Sequence, residues 1–193
     1  MIDRKKTYAK IRVNFDKLRI NQVKGFEAFF DEWEKSGYTD IRWLAYMLAT
    51  AWHETATTMQ PIEEYGKGRE RPYGHKNKHS KQTYSFPDKL YYGRGHVQLT
   101  WYENYQLMGR LLGIDLLNHP ELALQMDISI KIVFEGMTRG ASSFGDFTGK
   151  CLEMYFNENN NDPLGARKII NGTYKAQLIA NYHNLFVKSI VLS

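Results

Sequence analysis

Residues 40–65 read DIRWLAYMLATAWHETATTMQPIEEY, and this stretch decides the fold. Ile41, Leu44, Ala45, Leu48, Ala51 and Trp52 recur at the three- and four-residue spacing of a buried helical face. Asp40 stands where an N-cap belongs, after the Gly37-Tyr38-Thr39 break. The β-branched run at Thr55, Thr57 and Thr58, followed by Pro61, predicts that the helix fades there. Glu54 then falls at the C-terminal end of a largely apolar helix. The helix dipole is negative at that end, and Trp52 and Met59 are close in sequence. Both disfavour a charge, which suits a proton donor.

Glu63 follows after eight intervening residues, with Glu64 beside it and Pro61 just before. One carboxyl at a helix end and a second on a polar loop are what glycoside hydrolysis uses. One acid protonates the leaving oxygen, and the other, as carboxylate, activates water or attacks the sugar. The plainer alternative is a solvated acidic loop that does no chemistry.

A second stretch, YYGRGHVQLTWYENY at residues 91–105, shifts that balance. Together with His53-Glu54-Thr55 it resembles glycoside hydrolase family 19, the chitinases and their related phage endolysins. The likeness continues through LGIDLLNHPELA at 112–123 and IING at 169–172. It implies a mainly helical, lysozyme-like fold, α+β with at most a small hairpin, and a cleft with Glu54 as general acid. Glu63 is the matching base, with Glu64 and Glu70 as alternatives. The family inverts, so two carboxyls roughly 6.5–9.5 Å apart would act on a water with no nucleophile and no cofactor. Thr100 matches a hydroxyl that helps hold the attacking water. Gln98, Asn104 and Asn171 match positions that bind sugar amides and hydroxyls; capping is their plainer role. Tyr92 is a further candidate sugar contact, and Tyr91 and Arg94 shape the cleft.

Composition bounds the partners. With 193 residues, 42% of them hydrophobic, the chain suits one domain with a substantial core. Aromatic content is 14%, enough to stack on sugar rings or fill a core. Lys plus Arg outnumber acids 26 to 21, giving +5 and a preference for polyanions. The basic residues cluster at Arg4 to Arg19 and at Lys67 to Lys89, without a nucleic-acid fold motif. The single cysteine, Cys151, excludes an intramolecular disulfide, unlike the plant branch of the family, and reads as a buried filler. The first residues carry charge with no apolar run behind them, so no secretory signal is expected. His75 and His79 lack a third ligand or helical frame, so no metal is assigned. These features favour an endolysin acting as a muramidase or glucosaminidase on peptidoglycan glycan strands. It would be a monomer without nucleic-acid partner or stable membrane insertion, made in the cytoplasm and released to the wall by another component. Chitin is the alternative substrate. A catalytically silent wall-glycan binding protein is the reading from another class.

Elsewhere the patterns are coarser. Residues 1–20 read as a basic arm or short strand, from the alternation Ile11, Val13, Phe15. Phe26, Phe29, Phe30 and Trp33 stripe a helix over 21–36 that Gly37 stops. Residues 65–92 read as a long loop. Thr100 and Glu103 read as a capping box opening a helix closed by Gly113. Further helices are expected from Asp127, over 149–157, after Asp162-Pro163, and over 174–191.

Overall fold

The computed structural model describes residues 1–69, 90–138 and 147–193. Among them the chain is mainly helical. α1 spans Arg4–Phe15, α2 Ile20–Ser36, α3 Ile41–Glu54, α4 Tyr102–Leu112, α5 Met126–Met137 and α6 Ala176–Ser189. Two small antiparallel pairs accompany them: β1 (Ile62–Glu63) with β2 (Arg94–Gly95), and β3 (Phe156–Asn157) with β4 (Asn160–Asn161). In the first pair Ile62 faces Gly95 and Glu63 faces Arg94. No described helix is long and apolar enough to cross a membrane.

The helix read from residues 40–54 is the spine. Asp40 caps it, its carboxylate accepting from the Arg42 amide at 3.0 Å, and every residue from Leu44 to Trp52 is buried. A helix apolar on all sides must be surrounded. α6 packs along its length, with α2 and α5 against other faces. Phe26 stacks on Trp52 at 6.0 Å between centroids, and Phe15 on Phe186 at 4.3 Å. Most of the described aromatics are therefore core, as is Cys151.

Most of the first twenty residues form a helix, Arg4–Phe15, rather than an arm or strand. The Asp3 carboxylate caps it by accepting from the Lys6 amide at 3.0 Å. The buried residues are Thr7, Tyr8 and Ile11, a helical face, while Val13 of the supposed alternation is 82% exposed. Arg4 reaches across to Glu27, Asp31 and Glu34 at 3.0–3.1 Å, three acids along one face of α2. A three-residue alternation cannot compete with a cap plus a buried i, i+4 face.

Three other expectations change. Residues 149–157 are not a helix: Leu152–Met154 make one 3-10 turn, then β3 begins. Asp162 does receive the Gly165 amide at 2.8 Å, but the segment it opens is a short 3-10 helix, Gly165–Ile169. Of the residues expected to be buried by the last helix, Phe186 and Ile190 are, while Leu178, Tyr182 and Leu185 are half-buried; Ile179, Ala180 and His183 complete the buried face of α6. His75, His79, Glu70 and most of the 65–92 loop lie outside the described residues.

Two buried histidines make stability depend on pH. Burial pushes His96 and His183 each from an ordinary value near 6.5 to about 4. Between those values the unfolded chain binds more protons than the folded one. Stability is therefore full above roughly pH 6.5 and is lost as pH falls toward 4. Urea unfolding at pH 4.5 should show stability lower than at pH 7 by more than about 2 kcal/mol. His183→Phe, which keeps a ring between Tyr46 and Phe156, should flatten part of that slope. An unchanged slope in that variant rules out His183 as a source.

Candidate active site

The two expected acids sit in separate polar networks joined by a strained link. Glu54 is the last residue of α3. Its Oε1 lies 2.8 Å from Nη2 of Arg167, off the N–H axis, so this is an ion contact rather than an aligned hydrogen bond. Arg167 is 1% exposed and the Glu54 side chain 16%. Arg167 comes from the 3-10 helix before α6. Its Nε donates to the Tyr174 carbonyl at 3.0 Å, and its own carbonyl receives the Asn171 amide at 2.9 Å. Neighbouring His53 is held neutral by burial, opposed by Glu54 but aided by the cations Arg167 and Lys175. The apolar setting expected for Glu54 thus contains a buried guanidinium. The sequence holds one signal for it: a lone Arg among Leu164, Ile169 and Ile170, where a buried charge needs a partner.

Glu63 lies in β1 rather than on a free loop. Its Oε1 accepts from the Tyr92 hydroxyl at 2.7 Å and lies 3.8 Å from Arg94 Nε, while Lys67 Nζ lies 3.2 Å from Oε2. The Tyr92 hydrogen bond first, then Lys67 and Arg94, hold this carboxyl below the usual carboxylate range against the opposing effect of burial. Glu64 turns the other way. Its Oε2 accepts from the Gly93 amide at 3.2 Å, and its own amide donates to the Gly93 carbonyl. Glu63 is thus supplied with two cations and a phenol.

The other candidates gather on the same wall. Gln98 Nε2 donates to the carbonyls of Ile62 at 3.1 Å and Gly95 at 3.2 Å, clamping β1 to β2. Its Oε1 lies 2.7 Å from where a Gly93 Cβ would stand, so that position needs glycine. The Thr100 hydroxyl donates to the Gln98 carbonyl at 2.7 Å. The expected capping box does not form: Trp101 occupies the N-cap position of α4, and Thr100 lies one residue too early. Asn104 Nδ2 donates to the Thr100 carbonyl at 2.8 Å, the plainer of its two expected roles. Tyr92 is 6% exposed, with the Arg94 guanidinium 3.7 Å above its ring, so it serves Glu63 more than a sugar. Asn171 stands exposed on the Glu54 side.

The link between the acids is under strain. Ala56, Thr57 and Met59 have φ of 48°, 67° and 54°, and Gln98 and Trp101 have 53° and 78°. Each costs about 1–3 kcal/mol and persists only when its surroundings over-determine it. The Thr55 hydroxyl donates to the Ala51 carbonyl and accepts the Met59 amide. Gln22 and Gln60 fasten the link to the start of α2. His96 Nδ1 lies 2.7 Å from the Ser129 hydroxyl and Nε2 3.3 Å from the Met59 carbonyl, which assigns the proton to Nε2 and ties β2, α5 and the link together.

A family profile described as chitinase class I, glycoside hydrolase family 19, matches residues 6–139. The chain belongs to that family. It is similar to endochitinase 1 of Theobroma cacao, 53% identical over 49 residues, 25% of this chain and 15% of that protein. It is also similar to inactive chitinase-like protein 1 of Hevea brasiliensis, 58% identical over 36 residues, 19% of this chain and 12% of that protein. The chain thus matches less than a sixth of the length of these relatives. Among solved structures it resembles chitinase C of Streptomyces griseus HUT6037, with TM-score 0.62 and 23% identity over 94% of this chain and 90% of that one. A class IV chitinase from Zea mays gives TM-score 0.56 and 19% identity, covering 93% and 89%. At these identities the likeness concerns the fold, which is the expected mainly α, lysozyme-like one.

Tyr92→Phe isolates the largest cause of the low Glu63 value. Carboxyl carbon NMR should show Glu63 titrating at higher pH in the variant. Because folding lowers this value, the stabilisation is present at neutral pH and is lost as pH falls through the folded value. A Glu63 titration that does not move removes the Tyr92 hydroxyl as its cause.

Proposed function

We propose that this chain hydrolyses β-1,4-linked N-acetylated glycans with inversion. The observation that carries the reading is the contrast between its two acids. Glu54 sits largely buried at a helix end, while Glu63 is kept a carboxylate by a phenol and two cations. In this reading Glu54 protonates the leaving oxygen and Glu63 takes a proton from the attacking water. The Thr100 hydroxyl has already given its proton to the Gln98 carbonyl, so toward a water it acts as acceptor. The water's two protons are then directed to Glu63 and Thr100, leaving a lone pair for the anomeric carbon. Gln98 and Asn104 spend their amide nitrogens on the protein, leaving their carbonyl oxygens for sugar N–H and O–H groups.

Chitin is the first substrate by relationship, since the chain's relatives carry chitinase names. Peptidoglycan, cleaved as by an endolysin, is the second reading, favoured by the net charge of +5. The silent-binder reading has one point in its favour: an inactive chitinase-like protein shares much of its matched stretch with this chain. Retention of both acids speaks against it.

Colloidal chitin and purified peptidoglycan should be digested side by side, with reducing ends identified by mass spectrometry. Chitin oligomers are expected; muropeptides in their place select the second reading, and no product from either returns the chain to a binder. Glu54→Gln, nearly isosteric, should lower the rate on the cleaved glycan by about 10²–10⁴ with the fold intact. Turnover at the wild-type rate would show that Glu54 is not the acid. Glu63→Ala should be similarly impaired and partly restored by azide or formate. A near-normal Glu63→Ala beside a dead Glu64→Ala or Glu70→Ala moves the base to one of those residues.

A further inference from the structure

Behind Glu54 lies a set of buried polar atoms that the protein leaves without hydrogen bonds. Tyr46, Thr50 and Glu54 stand at four-residue steps along α3, so they share one side of the helix, each about 6 Å further along the axis. The hydroxyls of Tyr46 and Thr50 are fully buried and have no partner. Arg167 faces them. Its Nη2 touches Glu54 and its Nε is spent on the Tyr174 carbonyl, while Nη1 is buried without a partner. The same guanidinium acts electrostatically on the Tyr46 hydroxyl. Arg167 thus touches the Glu54 end of this side of α3 and lies within electrostatic reach of Tyr46.

We propose that an ordered water joins Nη1 of Arg167 to the hydroxyls of Tyr46 and Thr50, making both positioning residues that hold the general acid through Arg167. Buried waters typically make about three hydrogen bonds to groups otherwise unsatisfied, and Tyr46, Thr50 and Arg167 each offer one such group. The water accepts from the guanidinium and donates to the hydroxyl oxygens. This second hold on the guanidinium keeps the contact off-axis and opposes an aligned hydrogen bond to Glu54. An arginine drawn fully onto the carboxylate would keep it charged and unable to give a proton. Neither hydroxyl touches substrate. Their effect is on the chemical step, not on binding.

The inference rests on Glu54 as the acid, and the test separates the two. Tyr46→Phe and Thr50→Val each remove one oxygen while nearly conserving volume. On whichever glycan the wild-type chain cleaves, each should lower kcat on the order of 10-fold with KM within about twofold. Melting temperature should change only modestly, since one water-bonded hydroxyl is lost while the side-chain volume is nearly kept. Thr50→Ser, which restores the hydroxyl, should restore kcat. The double variant should lose little more than the worse single, because both act on one water. Wild-type kcat in Tyr46→Phe and Thr50→Val overturns the proposal. So does an equal loss in Thr50→Ser and Thr50→Val, which would be a packing effect. If Tyr46→Phe fails to fold, the Thr50 pair decides alone. An active Glu54→Gln instead overturns the acid assignment beneath it.

Discussion

A buried arginine against the carboxylate that ends an apolar helix is the contact on which the rest depends. α3 is enclosed on every side, so its end is fixed as firmly as any atom of the core. An unpaired charge there would be expensive, and Arg167 removes the cost by bringing a guanidinium from far along the chain. That residue can reach Glu54 because α6 lies along α3, returning the segment before it to the helix end. The long α3–α6 packing is therefore also what aligns the Glu54 side of the site.

The Glu63 wall is fixed by different means. A two-residue strand pair has little stability alone. Here it is clamped by Gln98, backed by His96 and Ser129, and joined to Glu54 through a link of left-handed residues. Gly25 of α2 lets that link approach, since a Cβ there would collide with the Met59 carbonyl. The strain between the acids is thus offset by core residues of α2 and α5. It has a use: the chain from Glu54 to Glu63 cannot drift when Ala56, Thr57 and Met59 within it are locked in unusual conformations.

The parts of the fold legible in the sequence are those written in period and punctuation. α3, its Asp40 cap and its end at Glu54 come from helical spacing, as do α2 and its Gly37 stop. The first helix escapes that reading because its apolar residues are few and its stabilisation comes from a cap and from acids on α2. β3 and β4 escape it because two-residue strands carry no alternation to detect. In the site, the residue types are readable but their work is not. Gln98, Asn104 and Tyr92, expected as sugar ligands, spend hydrogen-bonding groups on β1, on the start of α4 and on Glu63. Arg167 is hidden because its partner is distant in sequence, and local pattern cannot pair residues across a fold.

Net charge is a weak clue to substrate for the same reason. The excess of +5 suggests an anionic wall, but charge acts where it is unpaired. Arg4 is spent on three acids of α2. Lys67 and Arg94 are spent on Glu63, and Arg167 on Glu54. Near the site, Lys67, Arg94 and Arg167 are thus committed to the two acids, while others such as Lys175 are exposed. Most of the described lysines and arginines lie outside these pairs, but those beside the two acids are not free to draw a polyanion into the site. That weakens the charge argument for peptidoglycan without touching the chemistry, which both glycans share.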